Sequence, residues 1–470
     1  MSKPLWTAVD AASATTGRSR RYWEAERVGI DSRTVGPGDL FVALQAARDG
    51  HAFVGNALDR GATAAVVTAR PDDVPEDAPL LLVEDSMRAL EGLAAFARRR
   101  SAAKIIGVTG SVGKTGFKTA LARICGRFAP THASERSYNN HWGVPLSLAN
   151  LPPAARYGIF EMGMNHPGEI RALTAQVRPD IAVVTAIAPA HMEFFTSLDA
   201  IAEAKAEIFY GLEPDGVAVI NNDAPSSDLL LDHARAARAA IITYGGADGA
   251  RVRLVDSELR ADRSLVHARL DSRKIDFEVG IPGYHWVINS LGLVAVAHAL
   301  ELPLDGVFEQ LAVLEAVAGR GLREHVQLAG GGEILLLDES YNANPVSTRA
   351  AIEVLGNQSG RKVAILGDML ELGAHSARMH AELGDALDDA DVDLLLLAGP
   401  MMAHLGEAVG TKREWHHATG SRELAAGLGA WLRAGDVVLV KGSLGSGMQC
   451  VVDAIHGMGA GVVQNAHEEV

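Results

Sequence analysis

Residues 107–117 read GVTGSVGKTGF, and their types and order could hold a chain of phosphates. Gly110 and Gly113 let the backbone N–H groups of a tight loop, with Ser111 between them, close on anionic oxygens. A helix opening just after the loop would add the partial positive charge of its N-terminus. Lys114 can reach the β- and γ-phosphates of a nucleotide, and the Thr115 hydroxyl can ligate magnesium. The glycine spacing differs from that of a Walker loop. That pattern puts a glycine where Val108 stands, whereas this chain has Gly107, Gly110 and Gly113.

Other candidates lie at the ends of apolar runs, where open α/β sheets present ligand groups. In FEMGMNHPGEI, Glu161 closes such a run, and a carboxylate beside a phosphate loop suits magnesium. His166 in the adjoining loop reads as structural. His191 ends TAIAPAH and reads two ways, as a metal or γ-phosphate contact or as a loop histidine with local partners. Lys205, flanked by Glu203 and Glu207 in AEAKAEIFYGL, reads by composition as a surface lysine. Asp338 closes the run in LLLDESYNANP, whose Asn and Pro suit a turn into a helix. Lys441 in VLVKGSLGSG could meet an anion.

Positioning these groups needs strands alternating with helices. KIIGVTG, YGIFEMG, DIAVVTAI and GVAVINND are buried-type strands separated by helical stretches, the pattern of a parallel sheet covered on both faces. Residues 251–280 instead alternate polar and apolar, as antiparallel strands do. EILLLDES, KVAILGDM, VDLLLLAG and DVVLVKGS resume the first pattern. The chain is therefore expected to be an α/β protein of three domains. Residues 1–102 would form a small N-terminal α/β domain, residues 103–318 a central sheet carrying the phosphate loop, and residues 319–470 a Rossmann-like doubly wound domain.

Bulk properties limit the function classes. A length of 470 residues fits three domains of roughly 150 residues each. A net charge of −15 excludes the basic footprint of a nucleic-acid binder. Two widely spaced cysteines, Cys125 and Cys450, give neither a disulfide framework nor a metal pattern. No apolar leader or membrane-length run is visible, so a cytoplasmic enzyme is expected.

Taken in order, these segments resemble the Mur ligase family, the ATP-dependent amide ligases of peptidoglycan synthesis, across essentially the whole chain. TGSVGKT matches that family's own loop, T-G-[ST]-x-G-K-T. DSRTVGPGDLFVAL, YNNHWGVPLSLANLP, EMGMNHPGEI, ESYNANPVS and LGDMLELG are similar to the branch that adds D-alanyl-D-alanine to a UDP-N-acetylmuramoyl-tripeptide. The resemblance implies ATP and Mg²⁺ as cofactors and a monomer acting on small molecules. It implies that Lys114 and Thr115 bind ATP and metal, that Glu161 and His191 join the metal shell, and that Lys205 is carbamylated. Asn289 and Arg320 would hold adenine and phosphate. Asp338, Tyr341 and Asn342 would frame the nucleotide. Ser32 and Arg33 would contact the UDP part, while Asn139 and Asn140 would face the substrate cleft.

Three positions depart from the family pattern. Trp286 replaces an asparagine, Leu444 an arginine, and Phe117 falls in a stretch often rich in threonine. Two other readings therefore stand beside the first: a related ligase with another amino donor, and a nucleotide-binding scaffold without ligase activity.

Overall fold

The computed structural model describes residues 4–46, 48–189 and 192–459. Among these, three large sheets carry the architecture. The central strand, Lys104–Thr109, is buried at every position after its exposed lysine. Both of its faces are covered, which is why its sequence is an apolar run without alternation. Tyr157–Glu161 and then Thr131–Ala133 lie on one side of it; Ile181–Val184, Val217–Asn221 and Ala240–Gly245 lie on the other, all parallel. The chain thus winds to one edge and resumes on the other side of Lys104–Thr109, which makes the C-terminal end of that strand the natural ligand crevice.

Val252–Leu259 pairs parallel with Ala240–Gly245, and Ser264–Leu270 and Arg273–Val279 complete an antiparallel extension. Burial alternates along Ser264–Leu270, in keeping with the alternation in its sequence. The helix Tyr284–Ala299 is apolar almost all round and packs into the same core as the helix Lys114–Gly126. Phe117 belongs to that core, fully buried with Tyr244 and Leu291. Its departure from the family pattern is therefore a packing change on the face turned away from the phosphate loop.

The C-terminal sheet runs in the order Leu322–Gln327, Glu333–Glu339, Asp436–Lys441, Arg361–Gly367, Leu394–Ala398, Glu414–Ala418. Only its first pair is antiparallel. The N-terminal sheet has five short strands between Arg18 and Leu82. The expected α/β class is the one observed. No helix among the described residues is long and apolar enough to cross a membrane.

The N-terminal sheet is fastened to the central unit by a few buried polar contacts. The Trp6 indole donates to the Ala149 carbonyl at 2.9 Å. Asn150 acts as a one-residue strand, accepting from Val28 N at 2.8 Å and donating to Val28 O at 2.9 Å. Asn150→Ala would leave both backbone groups of buried Val28 unpaired. It is expected to lower stability by about 1–3 kcal/mol, measured as a shift in the urea midpoint.

Candidate active site

The phosphate loop is shaped by residues that side chains cannot replace. At Gly110, φ is +151° and a Cβ would lie 2.0 Å from Thr185 Oγ1. Gly113 takes φ +83° and opens the helix Lys114–Gly126. The buried Ser111 Oγ has no hydrogen-bond partner among the described residues, as expected of a hydroxyl awaiting an anion. Lys114 Nζ turns back onto the Gly110 carbonyl at 2.8 Å. Burial depresses its pKa; Glu161 opposes that effect and Arg320 adds to it.

Parallel register brings the carboxylate to the loop. Glu161 lies opposite Val108 on the central strand, level with the loop's entry. It is 1% exposed. Its Oε2 accepts from Thr115 Oγ1 at 2.8 Å and its Oε1 from Asn139 Nδ2 at 2.7 Å. Lys118, one turn beyond Lys114, stands 3.9 Å from the same carboxylate. It donates to the Ser134 carbonyl at 2.6 Å and to the Arg136 carbonyl, so it straps the 134–137 loop to the helix. Sequence reading missed Lys118. The available signal was a lysine four residues after Lys114, on the same face of the helix that follows the loop.

Lys205 is not a surface lysine. It is 1% exposed, near the end of the helix Leu198–Ala206. Burial first, and the neighbouring Lys114 charge second, hold its amine well below the ordinary lysine range. Glu207, which the sequence placed beside it, instead accepts from the N–H groups of Gly168 and Arg171.

The C-terminal segment closes the cleft. Arg320 donates to Ser137 Oγ at 3.0 Å and lies over the Tyr341 ring at 4.3 Å. Lys441, buried, donates to Glu339 at 3.1 Å and to the Asn342 carbonyl at 2.9 Å. Asn289 stands over Gly113, its amide nitrogen 3.3 Å from where a Cβ would lie. The resulting cavity of about 420 Å³ is bordered by the loop and by Glu161, Asn139, Asn289, Arg320 and Tyr341.

Several expected site residues do not line this cavity. Asp338 does not line the cavity; it is buried, accepting from Gly319 N at 2.7 Å and from the Ser340 hydroxyl at 2.6 Å. It thereby sets the turn that carries Arg320. Asn140 accepts from Gly143 N at 2.9 Å and caps the following helix. Ser32 is buried in the N-terminal unit, and Arg33 is exposed and paired with Asp31 at 2.8 Å. His166, read from the sequence as structural, packs edge-on against Phe194. His191 lies outside the described residues.

No three His, Cys, Asp or Glu side chains converge into a metal cage among the described residues. What converges is the Thr115 hydroxyl and the Glu161 carboxylate. This all-oxygen pair fits a magnesium ion that keeps water and phosphate in the rest of its shell.

Comparison with known proteins decides the family. The Mur ligase family catalytic domain matches residues 24–98, the Mur ligase middle domain 108–297, and the Mur ligase glutamate ligase domain 324–444. The UDP-N-acetylmuramoyl-tripeptide--D-alanyl-D-alanine ligase of Escherichia coli (strain K12) is 35% identical over 92% of this chain and 93% of its own length. The chain belongs to the Mur ligase family. The ligase of the same name from Rickettsia prowazekii is 32% identical over 96% of this chain and 99% of its own. Among solved structures, this Mur ligase is similar to MurF from Acinetobacter baumannii, with a TM-score of 0.83 and 29% identity, covering 96% of this chain and 99% of that one. It is also similar to MurF from Thermotoga maritima in complex with ADP, with a TM-score of 0.76 and 28% identity, covering 92% and 97%.

The Asp338 contacts generate a test within this Mur ligase. Asp338→Asn would keep one acceptor oxygen and turn an amide donor toward the backbone N–H of either Gly319 or Ser340. It is expected to cost about 1–3 kcal/mol of stability. It should also raise the KM for ATP more than it lowers kcat, because Arg320 is displaced while Lys114 is not; steady-state kinetics read the split.

Proposed function

We propose that this Mur ligase joins D-alanyl-D-alanine to UDP-N-acetylmuramoyl-tripeptide at the expense of ATP, in peptidoglycan precursor synthesis. The observation that carries the reading is the Thr115–Glu161 contact beneath a glycine loop bearing Lys114. Relatives that carry this ligase name match almost the full chain, which favours this donor over another amino donor or an inactive scaffold.

In this reading residues 1–102 receive the UDP part through Ser32 and Arg33, residues 103–318 hold ATP, and residues 319–470 close over it. The tripeptide carboxylate oxygen bonds to the γ-phosphorus as the bond to ADP breaks, giving an acyl phosphate. The dipeptide amine then attacks the acyl carbon, loses a proton and expels phosphate. Two anions must meet in the first step. Lys114 and Arg320 offset that repulsion, as electrostatic groups do in phosphoryl transfer generally. Thr115 and Glu161 would hold Mg²⁺, which would supply the remaining positive potential at the phosphates. Asn139 orients Glu161, and Arg320 with Tyr341 restricts water that would hydrolyse the acyl phosphate. His191 belongs to the metal shell in this reading. The enzyme acts as a monomer in the cytoplasm.

Lys205 carries a carbamate. Its buried amine is held neutral enough to add to CO₂, forming a C–N bond and releasing one proton, and the Lys114 charge that disfavours an ammonium here would favour the carbamate anion. Protonation blocks that addition. Activity should therefore fall as pH drops below the depressed amine pKa and should recover with bicarbonate.

Lys114→Ala is expected to lower ADP release about 10²-fold or more, since it removes a charge aimed at the transferring phosphate. Near-normal turnover by the folded variant refutes the assignment. ADP release assayed over a donor panel should require D-alanyl-D-alanine; use of free diaminopimelate or lysine in its place selects the other-donor reading. Lys205→Arg should be inactive because arginine forms no carbamate, whereas Lys205→Ala should regain some activity with added acetate. Parental activity in Lys205→Arg at saturating magnesium excludes the carbamate.

A further inference from the structure

Trp286 lies in the first turn of the helix Tyr284–Ala299 and is 7% exposed. A buried indole normally hands its N–H to an acceptor. Trp6, Trp23 and Trp415 do so, to Ala149 O, Ser19 Oγ and Gly410 O at 2.9, 3.1 and 3.0 Å. The Trp286 N–H has no acceptor among the described residues, and the residue borders the main cleft. Trp286 borders both the main cleft and a second cavity of about 240 Å³, and Arg320 borders both as well.

The ring's position is set by a missing side chain. A Cβ on Gly116 would lie 3.2 and 3.3 Å from Cζ2 and Cη2 of Trp286. The indole edge therefore rests on the first turn of the helix Lys114–Gly126, two residues past the phosphate-loop lysine. The same cleft is bordered by Ile288 and, from the C-terminal segment, by Val346, Ala350 and Ala351. Phosphates at the loop put the base of a nucleotide within reach of this apolar end. Asn289, the polar side chain on the next turn, is engaged over Gly113 at the phosphate end.

We infer that Trp286 is the nucleobase platform of this enzyme: its ring packs on the base and its N–H donates to the nucleotide, so the base is held by its face more than read by its edge. The inference rests on the ATP-dependent reading above and adds to it how the nucleotide is selected. Aromatic stacking tolerates any base, because every base has a π-face. GDP should therefore bind within about tenfold of ADP.

The test uses the full chain with Mg²⁺, titrated with ADP and GDP by calorimetry and by tryptophan fluorescence. Bound ADP should quench the parent, and Trp286→Phe should abolish the quench while weakening ADP only a few-fold. Trp286→Ala should weaken ADP about tenfold or more, the usual effect of removing a stacking ring. A quench that persists in Trp286→Phe, unchanged ADP affinity in a folded Trp286→Ala, or GDP more than about tenfold weaker than ADP each overturns the inference. Should Trp286→Ala not fold, the fluorescence of Trp286→Phe still decides. If the parent binds no ADP, the nucleotide reading itself fails; if it binds ADP without these effects, only the role of Trp286 fails.

Discussion

The cleft depends on one buried carboxylate shared among groups that would otherwise repel. Lys114 and Lys118 project from one helix and Lys205 from another that meets Lys114, and burial works against the charge on each. Glu161 is the counter-charge for the first two, and it also receives the Thr115 hydroxyl and the Asn139 amide. Charges held in a poorly hydrated site interact far more strongly than in water. Lys114 and Lys118 with Arg320 set against one carboxylate leave the cleft suited to a polyanion, even in a chain whose net charge is −15. The acidic total describes the exposed surface; the chemistry is set by a few buried cations.

That arrangement follows from backbone geometry rather than from side-chain reach. Glu161 meets the loop because parallel pairing sets it opposite Val108. Lys118 meets it because four residues along a helix return to the same face. Lys118 then fixes the carbonyls of the 134–136 segment, and Ser137 at its end receives Arg320 from the C-terminal unit. A continuous chain of contacts thus runs from the central strand to the closing segment, and Asp338 stiffens its last turn.

Much of this was legible in the chain itself, for a physical reason. Buried parallel strands produce apolar runs, and a strand followed by glycines and a lysine admits few foldings other than a phosphate loop. The change of period at residues 251–280 marked the antiparallel extension correctly. Residues that act through burial were not legible. Lys205 and Lys118 look like surface lysines, because sequence carries charge but not depth. Asp338 and Asn140 have the types of ligand-binding groups, yet they spend their oxygens on backbone N–H groups, a competition that only the folded turn reveals.

Two departures from the family pattern acquire different meanings once they are placed. Phe117 turns inward and is fully buried, so it answers to the core and not to the nucleotide. Leu444 is 66% exposed in the loop after Asp436–Lys441, whereas Lys441, three residues earlier, is 2% exposed and tied to Glu339. An arginine at the exposed position would add a screened surface charge, and such charges contribute little. What this strand presents to the cleft is the buried Lys441 as half of an ion pair with Glu339, held in place by the Asn342 carbonyl, so the group that borders the cavity is fixed by burial and pairing and not by the residue at 444.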